Sequence, residues 1–162
     1  GGHLATPWQL HLGYEPAQIA QNKLLAAGFG VSQSGCTDGG SYAQPVFTRT
    51  CPLNAGRMQG VRSAWVRTVD IGDARPRLAE LGYQLDPAGW NDTLRDLKTQ
   101  YGEPIPSAGG ALQWWAGEVG ITLTPSKTSP TLRYYHGRLL QYFIVADEKR
   151  QQAEKTQPRQ GL

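Results

Sequence analysis

Two segments of this chain have a proline near their start and a glycine near their end, and they limit the possible fold more than any other feature. The first, PAQIAQNKLLAAGF, starts at Pro16 and contains Gly28, and the second, DPAGWNDTLRDLKTQYGEP, starts at Asp86 and contains Gly102. Proline suits the first position of a helix, and glycine suits the left-handed cap after the last turn. We therefore predict two helices. Their opening triplets, EPA at 15 and DPA at 86, lie 71 residues apart and indicate an internal duplication.

The sequence that follows each predicted helix is typical of antiparallel strands. Val119, Ile121 and Leu123 alternate with small or polar residues, as in a strand with one buried face. The 20 glycines and 11 prolines supply many turns. The predicted strands lie at 41–50 and 57–71, and at 111–117, 119–124, 131–137 and 138–145. We predict an α+β fold in which two helix-plus-antiparallel-meander halves form a sheet with helices packed on one face.

A third segment, DARPRLAELGY, separates the two predicted halves. Its early proline and closing glycine predict a short helix at 74–81. The predicted organisation is an N-terminal arm at 1–12, a first helix-plus-strands half at 13–71, a connecting short helix within 72–85, a second half at 86–146 and a polar C-terminal tail at 147–162.

The only two cysteines, Cys36 and Cys51, have fourteen residues between them. This spacing is too long for a thioredoxin-type redox pair, which has two intervening residues. A zinc site needs four ligands, and the three histidines lack the pairwise spacing of such a site. A disulfide and two unpaired buried thiols remain, and we expect the disulfide. Because disulfides persist in oxidising compartments, we expect an exported protein that is periplasmic or outer-membrane-associated.

Charge and hydropathy argue against two classes of partner. The net charge is +3 and the basic residues are scattered, which is not typical of a nucleic-acid-binding surface. The longest apolar run, LLQYFIV at 139–145, is too short to cross a membrane. The chain begins without Met, so we expect that a leader has been removed. Membrane contact is expected only through such a leader or a lipid anchor.

Adjacent aromatic residues mark the candidate binding surface. Two tryptophans are neighbours on one predicted strand, and two tyrosines are neighbours on another. Because side chains alternate along a strand, one ring of each pair points to the core and the other away from it. Exposed Trp, Tyr and Arg are enriched where proteins bind each other. The predicted partner-binding residues are Trp114, Trp115, Tyr134, Tyr135, Arg62 and Arg133. The alternative interpretation is partial burial of these rings beneath loops or the tail.

The sequence lacks the motifs of nucleophilic catalysis and of phosphate binding. Neither Gly-x-Ser-x-Gly nor GxxxxGK occurs in it. We predict no enzyme activity, no catalytic residue, no cofactor and no metal. The alternative function is an envelope or cell-wall-acting hydrolase, in which His136 and a nearby carboxylate act as acid and base.

The order helix, strands, helix, strands, with LKTQYGEP leading into WWAGEVGITL, resembles the β-lactamase-inhibitor-protein-like fold. Small outer-membrane-assembly lipoproteins of Gram-negative bacteria share this fold, and the resemblance covers roughly 13 to 146. It implies a noncatalytic envelope protein that grips another envelope protein with an open sheet, as an inhibitor or an assembly component. The short helix expected at 74–81 and the basic tail depart from a clean two-repeat plan.

Overall fold

The computed structural model describes residues 5–41, 46–54 and 58–141, together with residues 152 and 155. The fold is a mixed α+β fold with a large antiparallel sheet and few helices. The helices are α1 (Ala17–Ala26) and α2 (Trp90–Tyr101), and residues 137–141 are also helical. The strands are β1 (Gly30–Val31), β2 (Thr37–Ser41), β3 (Val46–Asn54), β4 (Val61–Asp70), β5 (Arg77–Leu85), β6 (Ile105–Pro106), β7 (Leu112–Ala116), β8 (Val119–Thr124) and β9 (Thr131–His136).

The described strands form one sheet with the order β1-β3-β4-β5-β9-β8-β7-β6, and β2 pairs with β3 beside β1. After α1 the chain forms the meander β3-β4-β5, and after α2 it forms the meander β7-β8-β9. Their last strands, β5 and β9, pair with each other at the centre of the sheet. The two meanders thus meet strand to strand, while the internal duplication itself stays a prediction.

The signals at the ends of the two predicted helices act as expected. The side chain of Asp86 accepts a hydrogen bond of 3.1 Å from the backbone N–H of Ala88, in a 3-10 turn that leads into α2. Gly28 and Gly102 follow α1 and α2 with φ angles of 95° and 86°, which glycine adopts without strain. Both predicted helices are confirmed.

The main core lies along one row of paired residues that crosses six strands. From β3 to β7 this buried row reads Cys51, Val66, Leu81, Tyr134, Ile121 and Trp114. The same hydrophobic cluster contains Leu24 of α1 and Leu97 of α2. It also contains Leu10 and Leu12, so the segment expected as an N-terminal arm contributes buried side chains to the core.

The short helix predicted at 74–81 is wrong, because most of this segment belongs to strand β5. A bulge at Ala79 explains the misleading pattern: Arg67 pairs with Glu80, but the next residue, Thr68, pairs with Leu78. The extra residue interrupts the alternation of the strand, and residues 78–83 are all buried. The sequence LAEL therefore carries no period-2 signal.

The strand predicted at 138–145 is also wrong over its described part, since residues 137–141 are helical. Residues 142–145 lie outside the described residues, as does the predicted tail at 147–162 apart from 152 and 155. Leu139 packs in a second, smaller cluster with Val69 and Ala79. By strand alternation Val69 lies on the sheet face opposite the buried row, so this helical segment contacts the other face.

A disulfide joins Cys36 to Cys51 and confirms the expected pairing. Cys36 follows a 3-10 turn at Gln33–Gly35, and Cys51 lies within β3 rather than in the connection after it. The bond is compatible with an exported protein. No helix in the described part of the chain is long and apolar enough to cross a membrane.

Candidate functional site

Two rows of paired residues cross the sheet face opposite the buried row. From β3 to β7 the first row reads Thr50, Arg67, Glu80, Tyr135, Gly120 and Trp115. The second row reads Pro52, Trp65, Gly82, Arg133, Thr122 and Gln113. We call the surface formed by six of these residues the arginine–aromatic face: Trp65, Arg67, Glu80, Arg133, Tyr135 and Trp115.

Two glycines let large rings lie on the sheet at this face. A Cβ atom added to Gly82 would lie 2.0 Å from Cζ2 of Trp65, and one added to Gly120 would lie 2.3 Å from Cζ of Tyr135. Real Cβ contacts are never this short, so each ring occupies the space that a side chain on the neighbouring strand would fill. The backbone thus fixes the positions of both rings.

Glu80 is the buried centre of the face, with an exposed fraction of 1%. Its Oε1 accepts a hydrogen bond of 2.6 Å from Nε of Arg133 and lies 2.5 Å from Nη2 of the same guanidinium. Its Oε2 accepts one from Nε1 of Trp65 at 3.2 Å and lies 3.6 Å from Nη1 of Arg67. A buried carboxylate needs such partners, because leaving it unpaired would cost several kcal/mol, roughly 3–5.

Trp115 is the most exposed large side chain on the face, with an exposed fraction of 50%. Its ring makes a T-shaped contact with the ring of Tyr135, at a centroid distance of 5.8 Å. The guanidinium of Arg133 lies 5.3 Å from the centroid of the Tyr135 ring, and the Tyr135 hydroxyl donates a 3.0 Å hydrogen bond to Gln113. An exposed indole is thus supported by a tyrosine that two neighbours hold in place.

The structure brings three of the six predicted binding residues together: Trp115, Tyr135 and Arg133. Trp114 lies in the buried row with 2% exposure, and its Nε1 donates a 2.8 Å hydrogen bond to the carbonyl of Gly102. Tyr134 lies in the same row, and burial raises the pKa of its hydroxyl. Each adjacent aromatic pair therefore has one inward and one outward ring, as predicted.

The sixth residue, Arg62, is exposed but lies in a different set of contacts. Its guanidinium donates a 2.6 Å hydrogen bond to the carbonyl of Thr128 and lies 3.8 Å from the carboxylate of Asp86. Sequence reasoning missed Trp65, Arg67 and Glu80. The pairing of Arg67 with Glu80 would have been visible only if 77–85 had been recognised as a strand.

A second polar cluster surrounds Glu118, in the turn between β7 and β8. One carboxylate oxygen lies 3.1 Å from Nε2 of His136 and also accepts a hydrogen bond from the Tyr14 hydroxyl. The other oxygen accepts one from Arg138 at 3.3 Å. The hydrogen bond from Tyr14, followed by that from His136, lowers the pKa of Glu118, and the same bond raises the pKa of Tyr14.

His136 itself is 4% exposed, and both of its ring nitrogens are occupied. Its Nδ1 accepts a 3.3 Å hydrogen bond from the backbone N–H of Leu139, so the ring proton sits on Nε2 and faces Glu118. A cavity of about 50 Å3 lies beside the cluster, lined by residues that include Thr6, His11 and Glu118. It has room for a few water molecules.

The described residues contain no group of three or more His, Cys, Asp or Glu side chains placed to hold a metal ion. No protein-family model, curated protein or solved structure matches this chain.

Proposed function

We propose that this chain is a noncatalytic envelope protein that binds a protein partner through the arginine–aromatic face, as an inhibitor or an assembly component. The observation that supports this most is Trp115, which is half exposed on a large antiparallel sheet and rests against Tyr135 beside Arg133. Trp, Tyr and Arg dominate the residues that contribute most to protein–protein binding.

We further propose that α1 and α2 cover the buried row and leave the arginine–aromatic face, on the opposite side of the sheet, for the partner. Leu24 and Leu97 share the hydrophobic cluster of Trp114, which supports this division. The arginine–aromatic face is also preorganised. Its Arg133 is held by Glu80 and its Tyr135 by the space above Gly120, so little side-chain freedom remains to be lost on binding.

The compartment proposed for this function is the periplasm or the periplasmic side of the outer membrane. The Cys36–Cys51 disulfide supports export, because thiols are kept reduced in the cytosol. A partner in the same envelope compartment would meet the folded, oxidised protein.

A photo-cross-linking experiment in the native cells tests the proposed function. A p-benzoylphenylalanine residue replaces Trp115, and a matched control carries it at Leu25, which is 68% exposed on α1. We expect a discrete protein adduct from position 115 but not from position 25, and we expect Tyr135→Ala to weaken it. Equal adducts from both positions, or none from position 115, would refute the proposed surface.

The second candidate is an envelope hydrolase centred on His136. The 3.1 Å contact between His136 and Glu118 favours it, because it joins a histidine to a carboxylate at hydrogen-bond distance. The occupied Nδ1 and the near-complete burial of the ring argue for a structural role instead. Release of soluble fragments from dye-labelled cell wall, lost in both His136→Asn and Glu118→Gln, would establish the enzyme and refute the noncatalytic proposal.

A further inference from the structure

The charged groups of the arginine–aromatic face lie at different depths below the protein surface. The carboxylate of Glu80 is 1% exposed, whereas the side chains of Arg67 and Arg133 are 27% and 36% exposed. Two guanidiniums and one carboxylate give the group a net charge of +1. Because the negative charge lies beneath the positive ones, solvent meets the cations first. The face is therefore electrostatically complementary to an anionic partner.

Arg133 has one guanidinium nitrogen, Nη1, that Glu80 does not contact. Its Nε and Nη2 both contact Oε1 of Glu80, and within the described ranges its Nη1 makes no hydrogen bond. The salt bridge below holds the guanidinium plane in place. A second carboxylate approaching from solvent would therefore meet a fixed donor rather than a flexible side chain.

An apolar ring, that of Tyr135, lies beside this donor at a fixed distance along β9. Arg133 and Tyr135 are two positions apart on β9 and project from the same face. A strand rises about 3.3 Å per residue, so these two positions are roughly 7 Å apart, which is also the spacing of alternate side chains in an extended peptide. Trp115 continues the apolar surface from Tyr135.

We propose that the partner presents an extended acidic segment to this face, with a carboxylate on Nη1 of Arg133 and an apolar side chain two positions away against Tyr135 and Trp115. This inference rests on the proposed function and names the chemistry of the partner. It commits to a polypeptide that carries an acidic and an apolar residue two positions apart, so that both side chains point towards the face.

The test is a titration of the oxidised protein with two synthetic peptides, acetyl-Ser-Glu-Ser-Leu-Ser-amide and the same peptide with Gln in place of Glu. Binding is followed by the indole N–H signal of Trp115 in NMR spectra. We expect the Glu peptide to bind about tenfold more tightly than the Gln peptide, the effect of one charge-assisted hydrogen bond. Added salt should weaken the Glu peptide alone. Equal binding of both peptides, or no shift with the Glu peptide, overturns the inference.

Two arginine variants locate the effect. Arg133→Gln keeps a donor for Glu80 but removes the charge, and it should abolish the preference for the Glu peptide. Arg62→Gln removes the same charge from an exposed arginine that contacts Thr128 and Asp86 instead, and it should leave the preference intact. Loss of the preference in both variants would assign it to net charge and refute the site.

The peptide comparison on the unmodified protein needs no variant to fold. It also separates this inference from the proposed function. If cross-linking at position 115 yields a partner but the peptides bind equally, the protein-binding function stands and the acidic segment is wrong. If cross-linking at position 115 yields no adduct, the proposed function is refuted, whichever peptide binds.

Discussion

Breaking the disulfide should destabilise this domain by an amount that follows from its position in the chain. Cys36 and Cys51 are 15 residues apart in sequence. Closing a loop of that length removes conformational entropy from the unfolded chain, which corresponds to about 3 kcal/mol at 25 °C. For a domain of this size, about 2–4 °C of melting temperature is lost per kcal/mol, so the melting temperature should fall by about 6–12 °C.

The assay is urea unfolding of the oxidised protein, of the protein reduced with a phosphine, and of Cys36→Ala/Cys51→Ala with and without the phosphine. We expect reduction to lower the unfolding free energy of the native sequence and to leave the double variant unchanged. The unfolding free energies, and not the urea midpoints, must be compared. The reduced unfolded chain exposes more surface, so its unfolding free energy falls more steeply with urea concentration.

Two results would refute this reasoning. Two titratable thiols in the unreduced, denatured protein would show that the bond does not form. An effect of the phosphine on the double variant equal to that on the native sequence would show that the reductant acts elsewhere. A loss well above 3 kcal/mol would instead indicate native packing around Cys51, which is 4% exposed in the core.

Three further perturbations have expected outcomes that urea unfolding can measure. Trp114→Ala should lower the unfolding free energy by about 3–5 kcal/mol, because it leaves a cavity in the buried row. A loss below about 1 kcal/mol would contradict that burial. Gly120→Ala places a methyl group against the ring of Tyr135 and should cost about 1–3 kcal/mol; the cost should shrink when Tyr135 is also Ala, and additive costs would disprove the contact. The lowered pKa of Glu118 means that its contribution to stability is present above its ordinary pKa of 4.5 and is lost as the pH falls through the folded value. Tyr14→Phe removes the main cause of that shift and should flatten the acid limb of the stability curve, whereas a curve that overlays the parent would show that the hydrogen bond does not matter.

Local signals in the sequence predicted α1, α2 and the three strands of the second meander. Asp86 and the apolar spacing of α2 act within one or two turns, so they can be read without knowledge of the partner elements. The alternation of Val119, Ile121 and Leu123 reports a sheet with one buried side in the same way. The same alternation predicted that one ring of the Trp114–Trp115 pair would face the core, but it did not say which one.

The centre of the candidate site could not be predicted because its signals are not local. Glu80 reads as an exposed helical residue in the sequence LAEL, yet its burial depends on arginines 13 positions before it and 53 positions after it. The bulge at Ala79 removes the alternation that would have identified the strand. The wrong prediction of a strand at 138–145 has a different cause. From periodicity alone, an apolar run such as LLQYFIV fits a strand or a helix equally well.

The pairing of β5 with β9 also determines the order in which the molecule can assemble. Within each meander, neighbouring strands are close in sequence, so their pairing closes small loops and forms early. The central pairing joins residues 47 to 55 positions apart, such as Gln84 with Thr131, and must wait until both meanders have formed. Until then Leu81 and Tyr83 lie on an unpaired strand edge. A folding chain of this kind is therefore most vulnerable to association with another copy at its centre, at the moment before the two meanders close on each other.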